Sequence, residues 1–190
     1  MNEYQQASLV LSLAEKLKAR GSWTGETHLH KTLYFLEDLL GVPAGLKFVL
    51  YKHGPYSFEL LDTIGLLEAS DFLKWQPQPH PYGASAIAGP ACEHLKRMYP
   101  KMPKLYAPQI EFVAAHLAPK SVRDLEKLAT ALWVTQREGG GPLEARAARI
   151  HELKPHIPVP DAMDAVKAVD ELNREARESG IVTNGRAYGV

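Results

Sequence analysis

This chain of 190 residues lacks three features that would each identify a class of protein directly. It has a single cysteine, Cys92, which excludes an internal disulfide and a cysteine-rich zinc site. It has no apolar run approaching the roughly 18 residues that a membrane-spanning helix needs. It has no excess of charge, because 22 Lys and Arg balance 22 Asp and Glu. A globally basic nucleic-acid-binding protein is therefore disfavoured.

The chain start and composition indicate where the protein resides and how it is divided. Residues 1–5 lack the basic and apolar regions of a signal peptide, so we expect a cytoplasmic protein with no membrane partner. The hydrophobic fraction of 45% is typical of a folded globular protein. We expect one helical domain over 1–180, within which 120–180 forms a C-terminal lobe. The tail over 181–190 is expected either to turn at Asn184-Gly185 or to be frayed.

The spacing of apolar residues predicts helices along most of the chain. Leucines four residues apart predict a helix over 4–20, and a broader apolar stripe predicts a central helix over 26–40. Ser57 is placed to cap a third helix that ends near Ser70. Further helices are expected at 90–99 (ended by Pro100 and Pro103), from Pro108, from Ser121, after 139–142 and from Asp161.

Three short segments have the composition of strands. The segment 46–51 is apolar and aromatic, and Gly54-Pro55 is expected to end it and turn the chain into the third helix. The segments 72–75 and 82–88 flank a proline-rich loop and predict a β-hairpin. The fold class is therefore mainly α, with a small winged-helix-like sheet of three strands. The residues expected in its core are Leu29, Leu33, Leu36, Leu50, Leu60, Ile64 and Leu128.

No local cluster of residues has the spacing of a catalytic or metal site. His28 and His30 are two residues apart, which separates them on a helix, and we interpret them as surface imidazoles. His151 and His156 are five residues apart with a proline between them, so they miss the zinc-protease spacing. Cys92 is interpreted as a small core residue. We therefore expect no enzyme activity, no metal and no cofactor.

One basic segment keeps a nucleic-acid function open as the alternative. Its cations are Lys96, Arg97, Lys101 and Lys104, and tyrosines lie between and beyond them. Cations bind phosphates and aromatic rings stack on bases, so a winged-helix-like DNA-binding transcriptional regulator is conceivable. The third helix argues against it, because it has three acidic residues and no basic one where a recognition helix needs cations.

Two motifs resemble those of the Panacea domain superfamily, which includes the antitoxin domains of toxin–antitoxin pairs. The segment 28–35, HLHKTLYF, is similar to the Leu-x-Lys-Leu-x-Tyr helix of that group, with Thr32 and two histidines at positions where other residues are more usual. The segment 51–57, YKHGPYS, is similar to its Gly-Pro signature. The segments 125–133 and 153–156 are also similar to relatives with a Gly-Pro-Tyr-Ser motif, so the resemblance covers about 5–175.

The resemblance implies a non-enzymatic antitoxin that neutralises a partner toxin by binding it. From the residues alone, the Gly54-Pro55 motif is either a structural turn or part of a partner-binding surface. The candidates for that surface are Lys31, His53, Gly54, Pro55, Tyr56 and Ser57. Tyr34 is expected to pack inside instead, because its helix is apolar over much of its circumference.

Overall fold

The structure is a computed structural model that describes residues 1–80 and 83–183. Within these ranges the chain forms nine α-helices and four short strands. The helices are α1 (Glu3–Ala19), α2 (Glu26–Tyr34), α3 (Phe58–Ala69), α4 (Cys92–Met98), α5 (Lys101–Leu105), α6 (Ala107–Leu117), α7 (Val122–Arg137), α8 (Leu143–Leu153) and α9 (Val159–Glu178). The strands are β1 (Val49–Tyr51), β2 (Gly54–Tyr56), β3 (Leu73–Gln76) and β4 (Ser85–Ala88). The predicted Asn184-Gly185 turn and Tyr82 lie outside the described residues.

Local signals in the sequence set the ends of several helices. The Ser57 Oγ accepts a hydrogen bond from the Leu60 N–H at 3.2 Å, which confirms it as the cap of α3. Ser121 caps α7 in the same way through the Asp124 N–H. The α2 helix continues as a π-helical turn over Phe35–Leu39 and stops before Gly41, whose φ of +72° suits glycine. Pro103 does not end a helix as predicted: it lies in the first turn of α5, where no backbone N–H is needed.

The strands form two separate antiparallel pairs, so the predicted three-stranded sheet is wrong in its detail. β1 pairs with β2, with Val49 opposite Tyr56 and Tyr51 opposite Gly54, and we call this pair the first hairpin. β3 pairs with β4, as expected on either side of the proline-rich loop, and this is the second hairpin. The unforeseen strand is β2, because Gly54-Pro55 was interpreted as a turn. A two-stranded sheet has only edge strands, where proline is tolerated.

The core lies where α1 packs on α3 and α6, and where α2 packs on α7. The α7, α8 and α9 helices also pack on one another. Tyr34 and six of the seven predicted core residues are buried, the exception being Leu50. Leu50 is half-buried because the first hairpin has only three residues in each strand and encloses little volume. The result is a mainly α-helical fold with small β-sheets.

Candidate functional site

The first hairpin carries the Gly-Pro motif, and its turn is at Lys52-His53 rather than at Gly54-Pro55. Gly54 has a φ of +87°, a conformation that favours glycine. A Cβ atom at Gly54 would lie 3.3 Å from the Thr130 Oγ1 atom of α7, so the strand also lies close against that helix. The motif is thus a structural element that fixes the hairpin on α7.

Two buried lysines hold the backbone of the first hairpin. The Lys31 Nζ atom of α2 donates a hydrogen bond to the Pro55 carbonyl oxygen at 2.8 Å. The Lys154 Nζ atom, just after α8, donates to the carbonyl oxygens of Tyr51 and Lys52 at 2.5 and 2.6 Å. Both residues are buried. Hydrogen bonds from charged donors are stronger than neutral ones, so the two lysines fix the hairpin on both of its strands.

A buried carboxylate balances these cations. Glu126 of α7 is 7% exposed, and its Oε1 atom lies 3.1 Å from His156 Nε2 and 3.9 Å from His53 Nδ1. Burial lowers the pKa of Lys31 to about 8, an effect that the Glu126 charge opposes and the Lys154 charge adds to. Burial also lowers the pKa of Lys154, and Glu126 again opposes it. The layer beneath the hairpin is therefore ionic rather than apolar.

His30 also lies beneath the hairpin, and its interpretation as a surface imidazole is wrong. It is 1% exposed, and its ring stacks on the Tyr56 ring with centroids 4.0 Å apart. The Ser57 N–H donates to its Nδ1 atom at 3.3 Å. Burial, and then the Lys31 charge, lower its pKa to about 3, so the ring is neutral near pH 7 and carries its proton on Nε2.

The interpretation of His28 as a surface imidazole is also wrong, because this residue is only 4% exposed. Burial lowers its pKa, while a hydrogen bond to the backbone of Lys120 has the opposite effect. Both histidines are inside because α2 is surrounded by other elements: α1, α6, α7 and the first hairpin all pack on it. The two-residue spacing does place the two imidazoles on different sides of α2. Both sides are covered, so neither imidazole lies on the surface.

Above the ionic layer, the first hairpin and the start of α3 present aromatic rings to solvent. Tyr51 is 59% exposed and Phe58 is 56% exposed, while Tyr56 lies half-buried between them. The Tyr56 ring centroid is 5.3 Å from that of Phe58 and 5.8 Å from that of Tyr51. Val49, opposite Tyr56, and Leu61, one turn after Phe58, are exposed as well. We call these five residues the aromatic patch.

A pocket of about 210 Å³ opens between α2 and the first hairpin. We call it the α2 pocket. Its lining comes from α2 (Glu26, Thr27, His30 and Lys31) and from the hairpin (Tyr51, Lys52, His53, Gly54 and Tyr56). Two rings of the aromatic patch, Tyr51 and Tyr56, therefore also line the pocket.

The fold brings all six predicted partner-binding candidates together at this hairpin. His53 is exposed and Tyr56 half-buried, whereas Gly54, Pro55, Ser57 and Lys31 are buried. Sequence analysis missed His30, Glu126, Lys154 and the exposed rings of Tyr51 and Phe58. The predicted central position of the helix over 26–40 was a signal that His30 could be buried, but the two-residue histidine spacing was interpreted as a surface feature instead. Glu126 and Lys154 are distant from the motif in the sequence. Phe58 directly follows the segment 51–57, and this position next to the motif was the sequence signal that could have identified it.

The basic segment of the alternative function lies elsewhere, on α4 and α5. The Lys96 Nζ atom lies 2.7 Å from Glu15 Oε1 and 2.9 Å from Glu93 Oε1, so its charge is engaged. Arg97, Lys101 and Lys104 are exposed. Glu15, Glu93 and Cys92 also form a group with metal-ligand atoms within 4.8 Å of one another, but the Lys96 ammonium is already paired with both of its carboxylates.

No protein-family model matches the chain, and no curated protein is significantly similar to it. Among the described residues, no helix is long and apolar enough to cross a membrane.

Proposed function

We propose that this protein is a non-enzymatic protein-binding module, and that its partner docks on the aromatic patch. The observation that carries the proposal is the exposure of Tyr51 and Phe58, each more than half accessible to solvent, in ring contact with each other and with Tyr56. A few aromatic side chains usually dominate the binding energy of a protein interface. Contiguous exposed apolar groups mark such interfaces on soluble proteins.

The aromatic patch is also held ready for binding. Its rings contact one another, and the hairpin backbone below is fixed by Lys31 and Lys154. A patch that is ordered before binding loses less conformational entropy in the complex, which favours affinity. Tyrosine and phenylalanine add to this advantage, since they have only two side-chain torsions to restrict.

The proposed partner is a toxin that this protein neutralises by occupying it. The support for this is the resemblance of 28–35 and 51–57 to the Panacea antitoxins, together with the position of both segments at the first hairpin: 51–57 contributes Tyr51 and Tyr56 to the patch, and 28–35 lies beneath it. The DNA-binding alternative has less support. α3 carries Glu59, Asp62 and Glu68 without a basic residue, and Lys96 is already paired with two carboxylates.

The test is growth rescue and co-purification with the product of the neighbouring reading frame. We expect that product to arrest growth when expressed alone, and we expect this protein to restore growth and to co-purify with it. The Tyr51→Ala/Phe58→Ala double variant is expected to remain folded and to lose both effects. The matched control is Met98→Ala/Leu105→Ala, which truncates two equally exposed apolar residues outside the patch.

The outcome that overturns the patch is a folded Tyr51→Ala/Phe58→Ala variant that rescues and binds as well as the wild type. A harmless neighbour overturns the antitoxin function. A DNA fragment from upstream of the gene, shifted in a gel and released by salt, would favour the DNA-binding alternative instead.

A further inference from the structure

The floor of the α2 pocket contains a hydrogen-bond donor without an acceptor. His30 carries its proton on Nε2, because Nδ1 accepts the Ser57 N–H. Among the described residues, His30 Nε2 has no hydrogen-bond partner, and the residue is 1% exposed. A buried donor left without an acceptor destabilises the folded state, so such a group in a pocket calls for an explanation.

The side chain nearest to an acceptor for His30 is a carboxylate of the same chain. The Glu26 Oε1 atom lies 3.8 Å from His30 Nε2, which is beyond hydrogen-bond distance. The Tyr56 hydroxyl donates to the same oxygen at 3.4 Å. The Glu26 side chain is half exposed, so it is able to turn out into solvent. The Glu26 carboxylate thus lies near the His30 Nε2–H donor without forming a hydrogen bond to it.

The charges around the pocket favour an anionic ligand once Glu26 has turned away. Lys31 and Lys52 line the pocket, and the only buried carboxylate beside Lys31 in the described residues, Glu126, also faces Lys154 and His156. The pocket also lies at the N-terminal turn of α2, where the helix dipole stabilises negative charge and the N-cap Gly25 provides no side-chain hydrogen bond. The donor, the cations and the helix end all favour the same kind of ligand.

We propose that the α2 pocket binds a carboxylate, supplied by an aspartate or glutamate side chain of the protein partner. That carboxylate displaces Glu26 and accepts the hydrogen bond from His30 Nε2, beside the Lys31 ammonium. The inference rests on the proposed function for the source of the carboxylate. The partner would then combine apolar groups on the aromatic patch with an acidic side chain in the adjoining pocket.

The experiment uses propionate as the probe, because it reproduces the end of a glutamate side chain. Propionate is titrated into the full chain at constant ionic strength, and the imidazole nitrogens of His30 are followed by NMR. Sodium chloride and neutral propionamide are titrated in parallel. We expect a saturable shift of His30 Nε2 with propionate and none with the other two solutes.

Two matched variants sharpen the result. Glu26→Gln removes the competing charge at a half-exposed position, and we expect it to tighten propionate binding about threefold to fivefold. Glu3→Gln removes the same charge at the same position of α1, outside the pocket, and is expected to change nothing. The inference is overturned by the absence of a saturable shift, by equal binding of propionamide, or by equal affinities in the two variants.

The result is independent of the test of the proposed function. Failure of propionate to bind, together with loss of the partner in the Tyr51→Ala/Phe58→Ala variant, rejects the carboxylate pocket and leaves the protein-binding function standing. Propionate binding without any effect of that double variant retains the pocket and rejects the patch. In the complex, replacing the responsible partner acid by its amide is expected to weaken binding, and no effect from any such replacement contradicts the inference.

Discussion

The two hairpins of this protein are built in opposite ways. The second hairpin follows the usual rule for a small antiparallel sheet, with Leu73 and Ala86 buried and Lys74 exposed. The Ala86 N–H also donates to the Thr24 carbonyl oxygen at 2.9 Å, which ties the hairpin to the chain before α2. The first hairpin reverses the rule: Val49 and Tyr51 face solvent, while charged side chains lie beneath its backbone.

The difference shows what each hairpin contributes. Burying apolar groups stabilises a fold, so the second hairpin needs no further explanation. Buried ions are a costly way to hold a backbone, because they lose their hydration, and exposed aromatic rings add nothing to the core. A hairpin with both features is better explained by contacts outside its own chain. The comparison therefore supports a binding function for the first hairpin and a structural one for the second.

The largest expected effect comes from removing the apolar anchor of each hairpin. Leu73→Ala leaves a cavity at a fully buried site and is expected to lower the free energy of unfolding by about 3 kcal/mol. Leu50→Ala, at a half-buried site in the first hairpin, is expected to lower it by about 1 kcal/mol. Urea denaturation of the two variants measures both values. Equal losses would contradict the claim that only the second hairpin is held by apolar burial.

The next effect tests the ionic layer under the first hairpin. Lys31→Met removes the buried ammonium and its hydrogen bond to Pro55, and we expect a loss of about 2 kcal/mol in unfolding free energy. Lys74→Met in the second hairpin breaks an exposed ion pair with Asp71 and is expected to change it by less than about 1 kcal/mol. The same denaturation experiment compares the two lysines. A larger loss of unfolding free energy in Lys74→Met than in Lys31→Met would contradict the claim that buried charges hold the first hairpin.

The third expected effect is a pH dependence at the junction of the first hairpin and α3, which is read at the Ser57 N–H. The pKa of His30 is lowered from 6.5 to about 3, so the unfolded chain takes up the proton first as the pH falls. The stability that depends on neutral His30 is present above pH 6.5 and is lost as the pH falls towards 3. Hydrogen exchange is expected to show falling protection of the Ser57 N–H, which donates to His30, while the Ala86 N–H of the second hairpin keeps its protection.

His30→Asn provides the control for this pH effect. The Asn side chain offers an acceptor near the position of Nδ1 but does not titrate, so the pH dependence of the Ser57 N–H is expected to flatten between pH 6.5 and 3. If protection of the Ser57 N–H depended on pH as steeply in His30→Asn as in the wild type, the titrating group would not be His30.

The fold was predictable from the sequence where each signal is local. Leucine spacing and the caps at Ser57 and Ser121 place α1, α2, α3 and α7, because these features act within a few residues. The β2 strand was missed because Gly-Pro normally signals a turn, and only pairing with β1 makes it a strand. The same limit applies to Leu50, whose burial depends on how much of the helical core the hairpin covers.

The site was predictable only in its motif. The Gly-Pro segment and Lys31, both singled out from the sequence, meet at the first hairpin, but the ionic layer joins α2, α7 and the end of α8 across more than 120 residues of chain. No sequence spacing encodes such a convergence. The burial of His28 and His30 likewise depends on elements that pack around α2 from distant parts of the chain.

The most direct measurement of the central claim is amide hydrogen exchange of this protein alone and in complex with the product of the neighbouring reading frame. We predict that the complex gains protection over residues 49–61, which contain the first hairpin and the start of α3. The segment 92–105, with its own exposed apolar and basic residues, is predicted to exchange as in the free protein. Protection of 92–105 with none at 49–61 would contradict the account.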